Sequence, residues 1–179
     1  MKSTLELAVI GNSRIGALID TQASIVWGCV PRFDGDPVFC SLLDDDRPQG
    51  RFDIELQDCA SITQAYERNT AILRTEMIDV HGARLEIIDF APRFPQFGRN
   101  FAPVTIVRIV RRLAGRPRIR VRFAPRCNHG ASVPHITYGS HHVRAEVPAY
   151  PLRLTTDAPI THVVESRPIL LDDVLTFIL

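Results

Sequence analysis

The chain has almost no lysine: Lys2 is the only one, and every other cation among its 21 Lys and Arg residues is arginine. Against 20 acidic residues this leaves a net charge of +1, so no whole-molecule field draws the protein to nucleic acid or to an anionic membrane. Long apolar runs are missing as well. Residues 104–107 and 169–171 fall far short of the roughly 20 that cross a bilayer, which excludes a transmembrane helix. No window carries an apolar i, i+3, i+4, i+7 stripe over three turns, which excludes a helical bundle. The four cysteines, Cys29, Cys40, Cys59 and Cys127, form no Cys-x-x-Cys pair, so neither a zinc module nor a disulfide-dense scaffold is expected. Cys29 and Cys127 lie in apolar surroundings and read as small core residues of a protein in a reducing cytoplasm. Lys2 is followed by Glu6 with no small-residue cleavage site, so no standard signal peptide is expected.

What is present is alternation with period two, punctuated by 13 prolines and 10 glycines, the habit of an antiparallel all-β domain. In residues 118–124, Ile119, Val121 and Phe123 alternate with Arg118, Arg120 and Arg122. This strand is expected to form a hairpin with residues 104–113 through Gly115 and Pro117, its arginines on a solvated face together with Arg108, Arg111 and Arg112. A second hairpin is expected between residues 71–80 and 83–90 across His81-Gly82. Residues 5–10, 16–20 and 25–30 read as an opening meander, and residues 37–43 as a short helical turn. Residues 135–138, 141–147, 152–155, 160–165 and 174–179 are strand-like. The last five residues, Leu175-Thr176-Phe177-Ile178-Leu179, are apolar and strand-forming, and predict an exposed edge, prone to self-association, where a larger sheet system is cut.

The densest information lies in residues 10–43. Ile10-Gly11-Asn12, Ala17-Leu18-Ile19-Asp20, Ser24-Ile25, Trp27, Cys29, Pro31-Arg32-Phe33-Asp34, Pro37, Phe39, Leu42-Leu43-Asp44 and Gly50-Arg51-Phe52 follow one another in an order and spacing that resemble the opening of the trehalase-like N-terminal domain of family 15 glycoside hydrolases. Tyr66 and residues 69–75, Ile88-Asp89-Phe90-Ala91-Pro92, Val107-Arg108-Ile109-Val110 and Val121-Arg122-Phe123-Ala124-Pro125-Arg126 extend the resemblance to about Gly130. The chain departs from the pattern at Ala23, where a turn glycine is common, and at Val26, Gly28 and Gly35-Asp36. The resemblance implies an antiparallel super-β-sandwich spanning residues 1–179. It also implies a helical (α/α)6 barrel, absent from this chain, whose loops carry the two catalytic glutamates of an inverting α-glucosidase. The expected partners are that C-terminal barrel and, in the full protein, an α-glucoside; no cofactor is implied.

No catalytic residue is therefore assigned here. Arg32, Phe33 and Asp34 form the candidate substrate or interdomain loop, because an aromatic ring flanked by hydrogen-bonding charges suits either a sugar or a partner domain. Trp27, in mid-strand, suits core or interdomain packing. Asp89 reads as a buried carboxylate holding backbone N–H groups of a neighbouring loop. Asp44-Asp45-Asp46 is an unbroken run rather than the alternating oxygens of a calcium loop, and reads as a solvated turn. Cys127, His129, His135, His141 and His142 have no tetrahedral zinc spacing, so no metal is expected. The other reading is a stand-alone carbohydrate-binding or protein-interaction sandwich.

Overall fold

The computed structural model describes residues 6–43, 49–148 and 150–179; Asp44-Asp45-Asp46 lies outside the described residues. In chain order come β1 (Ala8–Gly11), β2 (Gly16–Ile19), β3 (Ile25–Cys29), β4 (Pro37–Cys40), a 3-10 turn (Ser41–Leu43), β5 (Arg51–Leu56) and β6 (Cys59–Tyr66). Next are β7 (Leu73–Asp79), β8 (Arg84–Phe90), β9 (Phe94–Gln96), β10 (Arg99–Phe101), β11 (Val107–Ala114), β12 (Arg118–Ala124), β13 (His135–Tyr138) and β14 (His142–Val147). The chain ends with β15 (Tyr150–Thr156), a helix α1 (Ile160–Val164), β16 (Pro168–Leu170) and β17 (Leu175–Ile178).

The strands form an all-β sandwich of two antiparallel sheets. One runs β1-β2-β3-β5-β12-β16 with β4 also on β3, the other β13-β14-β15-β17-β11-β8-β7-β6, and β9-β10 stand apart as a two-stranded hairpin. Alternation decides what each strand turns inward. Leu73, Thr75 and Met77 of β7 and Leu85, Ile87 and Asp89 of β8 are buried, while the intervening residues reach the outside. They meet Ile19, Phe52, Ile54 and Val121 of the first sheet in a single core. Phe52 is its hub, with ring centroids 6.3 Å from Phe39, 5.5 Å from Phe123 and 6.0 Å from Phe177 of the opposite sheet.

The opening meander and the hairpin across His81-Gly82 form as expected, with Gly82 at φ 82° in the turn. Four expectations about the elements are corrected. β11 and β12 are not a hairpin: β11 pairs with β8 and β17, β12 with β5 and β16, so Gly115 carries the chain from one sheet to the other. Residues 37–40 are a strand, with helical geometry confined to the 3-10 turn after it. Residues 160–164 are a helix, started at Pro159 and too short for an apolar stripe to register. β17 is no edge, since β11 and β15 flank it and Leu179 exchanges both backbone hydrogen bonds with Ile106 (2.9 Å each). The apolar C-terminal strand is apolar because it is central.

The arginine group likewise divides between the two sheets instead of forming one wet face. Arg111 pairs with Glu86 and Arg122 approaches Asp53, while Arg108 is wholly buried. Its Nε donates to Asp89 Oδ1 at 2.7 Å, one terminal nitrogen donates to Asp89 Oδ2 at 3.2 Å and to the Ala23 carbonyl, and the other donates to the Phe52 carbonyl at 2.7 Å. Asp89 thus holds a guanidinium rather than backbone amides, and through it the second sheet grips two carbonyls of the first. Burial pushes the Asp89 carboxyl up, and the charge of Arg108 opposes that shift.

Candidate functional site

The site residues suggested by sequence come together on the outer face of the first sheet. A bulge places Leu18 opposite Trp27 but Ile19 opposite Ile25, so Val26 is the extra residue. The bulge turns Ile25 inward and Trp27 outward. Val9 faces Leu18, Leu18 faces Trp27 and Trp27 faces Cys40, which makes a row of apolar side chains across four strands. Trp27 is therefore half-buried on the outside and does not belong to the core between the sheets.

The loop after β3 leans over this row. Phe33 is 60% exposed, and its ring lies where a Cβ on Gly16 would meet it at 2.9 Å, so the missing side chain of Gly16 makes its seat. Val9, Gly16, Leu18, Trp27, Cys29 and Phe33 line a shallow apolar cleft of about 270 Å³. Arg32 and Asp34 are in the same loop and bond each other twice, at 2.9 Å for both Nε and a terminal nitrogen. That pairing raises the Arg32 pKa and lowers that of Asp34. Each charge uses its best-directed bonds on the other.

Beneath the loop sits a feature that sequence reading missed. The Tyr150 hydroxyl is buried and has no hydrogen-bond partner among the described residues; burial, with Asp36 and Cys29 nearby, pushes its pKa up to about 12. Between the ordinary phenol value of about 10 and this one, the unfolded chain has lost a proton that the folded chain keeps. Stability therefore falls as pH rises through that window. Tyr150→Phe is expected to stabilise the fold by about 1 kcal/mol at neutral pH, since it removes an unpaired buried hydroxyl, and to flatten the alkaline decline. Thermal melts from neutral pH to above 10 check both.

The metal-capable residues after β12 are not gathered into one group. The His129 amide donates to Asp36 at 2.7 Å, while His135 lies 3.4 Å from Glu146 on another sheet edge. Cys29, Cys40 and Cys127 are buried and free, and burial raises the thiol pKa of Cys29 and Cys40. Among the described residues no group of three His, Cys, Asp or Glu could hold a metal ion, and no helix is long and apolar enough to cross a membrane.

A second apolar feature adjoins the first across the turn between β1 and β2. Gly11, Ser13, Asn69, Phe90, Arg93 and Phe94 are among the residues that line a cleft of about 590 Å³ at the foot of the β9–β10 hairpin. Asn12, only 3% exposed, organises this corner. Its Oδ1 accepts the amides of Arg14 and Ile15, and its Nδ2 donates to the carbonyls of Pro92 (2.9 Å) and Pro103 (2.8 Å). In the sequence this region shows through the motif residues Gly11-Asn12, Asn69 and Phe90-Ala91-Pro92 and through three phenylalanines within residues 94–101.

Comparison with known proteins agrees with the motifs. The chain matches the family described as trehalase-like, N-terminal, over residues 3–167. It is 31% identical over 134 residues to a trehalase of Thermoplasma volcanium, a match covering 74% of this chain and 21% of that protein. It is 32% identical over 126 residues to a trehalase of Thermoplasma acidophilum (69% and 21%), and 39% identical over 87 residues to Trehalase 1 of Sulfolobus acidocaldarius (48% and 15%). The matched segment thus spans about a fifth of the length of the first of these relatives. No solved structure matches. With the sandwich, the opening motifs in place and residues 3–167 matched, the chain belongs to the trehalase-like N-terminal domain family.

Proposed function

We propose that this domain is the non-catalytic N-terminal part of an inverting α-glycoside hydrolase of family 15, trehalase- or glucoamylase-like. In this reading it supports a C-terminal helical barrel that performs the hydrolysis. The observation that carries the reading is the coverage: four fifths of the length of the Thermoplasma volcanium trehalase lies outside the segment this chain matches.

The chemistry of the chain supports it. Inversion needs a protonated carboxylic acid on one side of a glycosidic oxygen and a carboxylate about 6.5–9.5 Å away to activate water. Asp89 is the carboxyl whose pKa burial raises, and it is sealed at 0% exposure under Arg108, out of reach of any sugar. Several acids nearer the surface are held by arginines: Asp34 by Arg32, Glu76 by Arg84, Glu86 by Arg74 and Arg111. The Trp27–Phe33 face suits packing against a partner domain, because a cleft with apolar walls is uncovered while the neighbouring charges neutralise each other. A sugar platform would need Arg32 and Asp34 free to read hydroxyls. With trehalose and maltose as substrates, a clean preparation of the 179-residue chain is expected to release no glucose. Turnover that copurifies with the chain contradicts the reading.

A further inference from the structure

The β9–β10 hairpin belongs to neither sheet, and every residue of both its strands is exposed. It nevertheless carries three phenylalanines. Phe94 and Phe101 pack with tilted rings, centroids 5.4 Å apart, while remaining 41% and 50% exposed, and Phe97 at the tip is 95% exposed. Phe97 and Gly98 have φ of 49° and 72°, the left-handed pair of a tight hairpin turn in which asparagine, not a bulky aromatic, is the favoured first residue. The sequence thus places phenylalanine where both the backbone and the solvent disfavour it.

The base of the hairpin, by contrast, is fixed. The Asn12 side chain bonds Pro92, which precedes β9, and Pro103, which follows β10, and Arg93 donates to Ser13 Oγ at 3.1 Å. Three residues past Pro103, Ile106 exchanges backbone bonds with Leu179. The last residue of the chain lies beside the root of the hairpin, so polypeptide continuing from it emerges at this corner.

From this arrangement we infer that the β9–β10 hairpin is a docking arm whose phenylalanines seat on the catalytic portion of the same enzyme, the polypeptide following Leu179. The inference rests on the reading of this chain as an N-terminal domain. A rigid root with an aromatic tip avoids the ordering cost that a floppy arm would incur on docking.

The test uses the 179-residue chain and the longer protein made by extending it through the downstream reading frame, each as parent and as Phe97→Asn. Amides of residues 94–101 are expected to exchange faster in the short parent than in the long one. Phe97→Asn should leave the melting temperature of the short chain unchanged or raised, because asparagine accepts the left-handed turn. In the long protein it should speed thermal loss of glycoside hydrolysis about fivefold, because docking loses an anchoring aromatic. Equal exchange in short and long parents, together with an unchanged inactivation rate, overturns the arm. So does a reading frame that stops at Leu179, or protection of the hairpin in the short chain that grows with its concentration, which would make a second copy the occupant. A long parent that protects the hairpin but hydrolyses no glycoside keeps the arm and sinks the glycosidase reading.

Discussion

Asp89→Ala is expected to lower the stability of the domain by about 3–5 kcal/mol, the usual cost of leaving a buried partner charge uncompensated. Arg108 would keep its bonds to the Phe52 and Ala23 carbonyls and its place 4.9 Å from the Phe52 ring centroid, but it would lose both carboxylate oxygens at 0% exposure. Since a domain of this size has only about 5–15 kcal/mol to lose, much of the variant would be unfolded at modest urea concentrations. The double variant Asp89→Leu with Arg108→Met separates ionic from steric effects. Replacing both charges by apolar groups of similar bulk is expected to restore part of the loss, because no orphan charge remains although the Phe52 and Ala23 carbonyls lose a donor. Urea midpoints equally low in the single and double variants would show that the pair is not what ties the sheets together.

Phe52→Ala is expected to cost a similar amount, about 3–5 kcal/mol, by a different route. The ring is fully buried and stands edge-on to Phe123 and Phe177, one from each sheet, so its loss opens a cavity at the seam of the sandwich and removes two aromatic contacts of about 0.5–1.5 kcal/mol each. Phe52→Leu should lose clearly less, because most of the volume is kept. Phe52 also touches Arg108, so Phe52→Ala combined with Asp89→Ala is expected to be less damaging than the two losses added together. Strict additivity in chemical denaturation would mean that the core hub and the buried ion pair act independently.

These two sites show how far the sequence could be read. The β7–β8 hairpin was legible because alternation and Gly82 agree locally, and the opening meander because Gly11, Gly16 and the turn before Ile25 punctuate it. Arg108 was misread because an arginine among arginines is ordinarily a solvated one. Its parity with Val110 on β11 turns it inward, and the partner that makes this tolerable is Asp89, opposite it on β8 but 19 residues back. The β11–β12 hairpin failed for a related reason: a glycine between two strands marks a turn, but not whether the chain returns to its own sheet or crosses to the facing one. For the candidate site, the residues were legible and their grouping was not. Nothing local says that the bulge at Val26 turns Trp27 outward, or that Gly16 is bare so that Phe33 can lie on it. Ala23 illustrates the reverse case. The family pattern suggests glycine there, and the structure holds this alanine at φ 61°, in the turn whose carbonyl Arg108 grips.

In the role proposed for it, this sandwich serves a hydrolase without performing the hydrolysis. Glucose release from trehalose and from maltose, followed for the 179-residue chain beside the same chain extended through its downstream reading frame, is the measurement that decides it. Release by the extended protein alone is expected; release by the short chain, or from neither sugar by either protein, overturns that role.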